Sequence, residues 1–148
     1  MGLTLSLFGP FEARLDGQVL PVTSRRSQAM LAMLARAPKH AVTRDRMAAT
    51  LWPDRAEDQA RASLRQELSS LRRVLGAAAD IVTADATCIR IDPKGFDSDI
   101  GTPDMGEFLE GLDLRSEPFD DWRREEAARW DQADDNPPPR GDENVATQ

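Results

Sequence analysis

Apolar residues recur along this chain with two different periods, and the change from one to the other marks its elements. Leu3, Leu5 and Leu7 alternate with Thr4 and Ser6, and after Gly9-Pro10 the alternation resumes at Phe11, Ala13 and Leu15. A period of two predicts two short antiparallel strands. Asp16-Gly17 is a tight-turn dipeptide and leads to Val19, Leu20 and Val22, a third strand that Pro21 confines to an edge. From Ser24 the period becomes helical. Met30, Leu31, Leu34 and Ala37 share one face, Ser24 is placed to cap that helix, and Pro38 stops it. Thr43 caps a shorter helix that turns Met47, Leu51 and Trp52 inward and ends at Pro53.

The third helical run, Asp58 to Gly76, begins behind a D-x-x-E capping pattern at Asp54 and Glu57, and Gly76 is a natural stop. At about 100° per residue, Leu64, Leu68, Leu71 and Leu75 fall within roughly 60° of one another and predict a core-facing edge. Two β-like runs, IVTA and CIRID, follow on either side of Asp85-Ala86-Thr87 and predict a hairpin. Strands, three helices and a hairpin in that order are the plan of an α+β winged helix, a variant of the helix-turn-helix.

The third helix carries the candidate chemistry. Arg61, Arg65, Ser69, Arg72 and Arg73, with Gln66 beside them, occupy the arc next to its leucines. Guanidinium forks and an amide on one helical face suit phosphates and base edges in a major groove. An ordinary surface helix with solvated arginines has the same periodicity. Arg25 and Arg26 stand in the first turn of the first helix, against its dipole, so they are either solvated or serve a partner such as phosphate. The LFGPF segment lacks the spacing of a phosphate loop and precedes a strand.

A chain of 148 residues suits one domain, or one domain with an appendage. Its formal charge of −7 is unevenly spread, since residues 1–95 hold 14 Lys and Arg against 10 Asp and Glu, whereas residues 96–148 hold 5 against 16. A mildly basic piece is thus followed by an acidic one that DNA would repel. The expected division is a winged helix over 1–95, the incomplete start of a helical module over 96–131, and a disordered Pro- and Asp-rich tail over 132–148. Phe108, Leu109, Leu112 and Leu114 could cover the winged helix, leaving Phe119, Trp122 and Trp130 partly covered or exposed to a partner.

Function classes narrow accordingly. One cysteine, Cys88, and one histidine, His40, with no tyrosine, leave few nucleophile–base pairs, so no enzyme, metal or cofactor is expected. Asp97, Asp99, Asp104 and Glu107 resemble a calcium loop only loosely, because Gly101 stands where an oxygen ligand is required. No apolar run reaches membrane-spanning length and the N-terminus lacks a signal-peptide pattern, which together predict a cytoplasmic protein.

The run from Arg25 to Gly76, with LSLFGPFEARLDG before it, resembles the winged-helix domain of the SARP family of bacterial transcriptional activators, whose DNA-binding domain is of the OmpR/PhoB class. EFLEGLDLRSEPFDDWRREEAARW resembles the entry to that family's TPR-like activation domain, cut off near its start. The resemblance implies a third helix in the major groove of double-stranded DNA, with Arg65, Gln66, Ser69, Arg72 and Arg73 in contact, and Arg61 and Ser63 as further candidates. It implies a wing near the minor groove, where Arg90 is the nearby cation because the Asp85–Thr87 turn has none. It also places Trp52 to Asp58 in a loop that can meet RNA polymerase, although core packing is the competing role for Trp52. A module of this size buries only about 600–1,000 Å² on DNA, so tight binding calls for a second copy, as a homodimer on neighbouring half-sites. The alternative is a winged-helix interaction module that does not bind DNA, its arginine face masked by the acidic C-terminal segment.

Overall fold

The computed structural model describes residues 2–98 and 107–135, with side chains of the last helix described through Arg129. Among the described residues the elements run β1 (Leu3–Ser6), β2 (Glu12–Leu15), β3 (Gln18–Val19), α1 (Arg25–Arg36), β4 (Ala41–Thr43), α2 (Arg44–Leu51), α3 (Glu57–Leu75), β5 (Val82–Ala84), β6 (Cys88–Ile91), β7 (Phe96–Ser98) and α4 (Glu117–Asp135). None of these helices is long and apolar enough to cross a membrane. The fold is the winged helix that the periodicities predict.

Two sheets bracket the helices. The first has the order β3-β2-β1-β7 and the second β4-β6-β5. The first is not wholly antiparallel, as expected from sequence, because β7 lies parallel to β1 with Leu3 opposite Phe96. A three-residue strand that returns after some 80 residues leaves no local signal in the sequence. The expected third strand is also shorter: β3 has two residues, since Pro21 lacks the donor needed to extend it. β5 and β6 form the predicted hairpin, the wing, and β4 adds to it with Val42 opposite Ile89. Between the sheets, α1 is buried nearly all round, from Ala29 to Ala35, and packs on α2, α3, β4 and β6. A helix enclosed in this way is the centre of a core, not a surface element.

Local chemistry explains most boundaries. Ser24 Oγ accepts the Ser27 N–H at 3.4 Å and Thr43 Oγ1 accepts the Arg46 N–H at 3.1 Å, so both predicted caps are present. The D-x-x-E cap for α3 is not: Ala56 is the N-cap residue and no side chain caps it. Glu57 and Asp58 in the first turn complement the dipole instead. Gly76 ends α3 at a φ of 56°, a conformation that costs other residues strain.

The C-terminal segment folds back onto the domain. Phe8 bridges Phe108, with Gly9 N–H donating to Glu107 O at 2.7 Å and Leu109 N–H to Leu7 O at 2.7 Å. Ser116 caps α4, accepting the Phe119 N–H, and its hydroxyl donates to Thr50 O at 2.6 Å, which ties α4 to α2. Phe108, Leu109, Leu112 and Phe119 are buried in the same core as β1 and α1, while Leu114 and Trp122 pack against it in part. Of the two arrangements open to the sequence, covering the winged helix is the one adopted. Residues 99–106, with Asp99 and Asp104 of the loose calcium pattern, and the tail from 136 onward lie outside the described residues, as does the side chain of Trp130.

Candidate nucleic-acid interface

One face of α3 holds it down and the opposite face is free. Ala60, Leu64, Leu68, Leu71 and Leu75 are buried. Fully burying a leucine contributes about 1.5–3 kcal/mol, so these side chains fix the helix's rotation with a large margin. Glu67 sets it further. Its carboxylate accepts from Ser24 Oγ at 2.5 Å and Ser27 Oγ at 2.6 Å, so the start of α1 is pinned to the middle of α3.

The exposed face therefore has a defined content. Arg65, Gln66, Ser69 and Arg73 project from it, and among the described residues their side chains make no hydrogen bond or ion pair. Arg72 sits at its edge, half-exposed, 3.8 Å from Asp80, too far for a strong pair. The sequence reading missed Gln59 and Ala62, which complete the same exposed face. The 100° rule would have found both had the arc been followed one turn further towards the N-terminus.

Arg61 and Arg90 are also in the predicted set, and the structure places both in ion pairs. Arg61 Nη2 lies 2.6 Å from Asp45 Oδ1 and 3.4 Å from Glu57 Oε2. The hydrogen bond to Asp45, then the two nearby charges, hold its pKa above the usual value. In the wing, Arg90 Nη1 lies 2.7 Å from Asp85 Oδ2. Asp85 Oδ1 accepts the Thr87 and Cys88 N–H groups, each at 2.8 Å, and so builds the turn from its own side chain. The Arg90 hydrogen bond, followed by those two amides, pushes the Asp85 carboxyl far below the ordinary carboxylate range. Arg44 Nε donates to Asp85 O at 2.6 Å, which fixes the wing turn to the start of α2. A cleft lined by Thr43, Arg44, Asp45, Arg61, Arg65 and Thr87 results between α2, α3 and the wing.

The other sequence candidates resolve into packing. Trp52 is buried, with the Arg26 guanidinium 5.2 Å from its ring and Arg26 Nε donating to Leu51 O at 2.9 Å. Arg25 donates to Asp113 O at 3.3 Å. Both first-turn arginines of α1 thus serve the fold. No described side chain between residues 107 and 129 pairs with an α3 arginine, and α4 lies against α2 instead.

An anchored helix thus presents free guanidinium, amide and hydroxyl groups beside a hairpin, group types suited to phosphates and base edges. Residues 17–87 match the family described as "Transcriptional regulatory protein, C terminal". The chain is 32% identical over 112 residues to the transcriptional regulatory protein EmbR of Mycobacterium tuberculosis and of Mycobacterium bovis, covering 72% of this chain and 27% of the relative. It thus spans about a quarter of the length of the curated relatives it matches. Its fold is similar to that of Mycobacterium tuberculosis EmbR solved in complex with a low-affinity phosphopeptide, with a TM-score of 0.67 at 20% identity over 89% of this chain and 43% of that one.

Proposed function

We propose, from the match of residues 17–87 to that family model and from the free face of α3, that the chain is a sequence-specific DNA-binding regulator that places α3 in the major groove. The observation that carries the reading is the unpaired Arg65, Gln66, Ser69 and Arg73 on the face opposite the buried leucines. An arginine is suited to guanine O6 and N7, glutamine to adenine, and the remaining cations to phosphates. Arg65 and Gln66, at the centre of the helix, are assigned to base edges, and Ser69, Arg72 and Arg73 to the backbone. Arg61 and Arg90 stand in the same interface as braces, since contact with DNA would require them to leave Asp45 and Asp85.

Two partner readings accompany it. A single module of this kind covers about 600–1,000 Å², which favours two copies on adjacent half-sites. RNA polymerase would meet the exposed turn from Pro53 to Ala56, because Trp52 is buried beneath Arg26.

Fluorescence anisotropy with a selected duplex and a scrambled one tests the assignment. Arg65→Ala is expected to lower discrimination between the two by about 1–3 kcal/mol, and Arg73→Ala to weaken both alike. Equal binding by wild type and both variants would contradict the reading. Masking by the acidic segment requires contacts to the α3 arginines, and the described part of that segment is instead tied to α1, α2 and the Leu7–Gly9 stretch after β1.

A further inference from the structure

Arg55 lies in the turn between α2 and α3, in a segment where the sequence gives no reason to single it out. Its side chain folds back along α3, and Nη1 donates to Ser63 Oγ at 2.8 Å. That bond carries the guanidinium away from the turn and onto the flank of the helix that bears the free polar residues. There it lines one open groove with Gln59, Ala62, Gln66 and Ser69, and a second with Glu67, Ser70 and Arg73, where the Glu67 carboxylate is taken up by the Ser24 and Ser27 hydroxyls. Among the described residues Arg55 has no acidic partner: Arg55 N–H bonds to Trp52 O, and the side chain's hydrogen bond is to the neutral hydroxyl. Its full charge is therefore available at the surface. Arg61, one turn away on the other flank, differs in being held by Asp45 and Glu57.

We propose that Arg55 is a further DNA-contacting residue, oriented by Ser63 to take a backbone phosphate at the edge of the α3 footprint, with Ser63 acting as its positioning residue. The inference rests on the DNA-binding reading above. It follows from geometry: with Arg72 on one flank of the exposed face and Arg55 on the other, cations border the base-reading residues on both sides, as the two strands bordering a major groove require. The neutral Ser63 hydroxyl fixes the fork's direction without consuming its charge.

The test measures dissociation constants of the full chain for a selected duplex and a scrambled duplex across a salt series, for wild type, Arg55→Ala, Arg55→Lys, Ser63→Ala and Arg65→Ala. Arg55→Ala is expected to weaken both duplexes by the same factor, roughly tenfold at moderate salt, and to reduce the salt slope by about 0.9. Arg55→Lys keeps the slope. Ser63→Ala, which keeps the charge, is expected to lose affinity by about two- to threefold with the slope unchanged. Unchanged affinity and slope in Arg55→Ala, or a loss confined to one base position, overturns the phosphate assignment. So does a variant that binds DNA like wild type but loses polymerase-dependent transcription, which would make Arg55 a protein contact. Arg65→Ala keeps the two claims apart: if it too is silent, the DNA reading itself fails, whereas a large Arg65 effect beside a silent Arg55 overturns only this inference.

Discussion

Glu126 gives the sharpest prediction about how the C-terminal segment is attached. Its side chain is only 5% exposed, yet it carries a charge, held by Arg36 of α1 at 2.9 Å and by Arg129 at 2.9 Å. The two arginines are not equivalent, because Arg36 is 20% exposed and Arg129 65%. Removing one member of a buried pair costs about 3–5 kcal/mol when the other charge is stranded in a poorly solvated site, and Arg36, which has further interactions, is not wholly stranded. Glu126→Ala falls at or just below the low end, about 2–3 kcal/mol, because Arg129 returns to water and Arg36 reaches it in part. Arg129→Ala removes only the solvent-exposed pair, for about 0–1 kcal/mol. In a domain of this size, 1 kcal/mol corresponds to roughly 3–5 °C in Tm, so Glu126→Ala is expected to melt about 6–15 °C lower, and Arg129→Ala within a few degrees of wild type. The assay is thermal unfolding followed by far-ultraviolet circular dichroism and tryptophan fluorescence together. Both probes should move in one transition, because α4 shares the core of β1 and α1. A Glu126→Ala loss below about 0.5 kcal/mol would refute the reasoning, as would a separate early loss of helix with the main transition unmoved.

Three further outcomes are expected. Leu64→Ala, at a fully buried position, should cost about 2–5 kcal/mol by denaturant unfolding, and a cost below 1 kcal/mol would mean that α3 is not anchored by this face. Asp85 should show a carboxyl titration midpoint by NMR well below its ordinary 3.8, and Arg90→Ala should move it back upward; a midpoint near 3.8 in the wild type would contradict the turn geometry. Because the folded-state value is depressed, the stability this carboxylate gives the wing is present above the usual carboxylate range and is lost only as pH falls through the lower, folded value. Gly76→Ala should destabilise by about 1 kcal/mol or more through backbone strain alone, since nothing lies within 4 Å of the added carbon, and a neutral result would show that α3 can end in another conformation.

What the sequence disclosed follows from the range of the interactions involved. Ser24, Thr43 and Gly76 act within a few residues of themselves, and their roles as caps and stop were legible. The α3 face was legible too, because Leu64 to Leu75 repeat at one period and the polar arc beside them is fixed once the buried edge is known. β4 and β7 were not, for strands of three residues exist only through partners at Ile89 and Leu3, far along the chain. The state of each arginine was equally hidden. Arg61 and Arg65 are four residues apart and look alike in sequence, yet Asp45, 16 residues away, occupies one and leaves the other free. Arg55 and Ser63 carried no periodic signal, since one lies in a turn and the other on the helix flank. The D-x-x-E pattern misled because the helix starts at Glu57 itself, where the acid meets the dipole and no cap forms.

The central claim is that α3 reads sequence through its free face, and selection from a genomic DNA library tests it most directly, with the wild type and an Arg65→Ala/Arg73→Ala variant run in parallel. An enriched motif that the variant loses is the expected result, and repeated half-sites within it would report paired copies. Enrichment that survives in the variant, or salt-sensitive binding with no motif in the wild type, would contradict the claim.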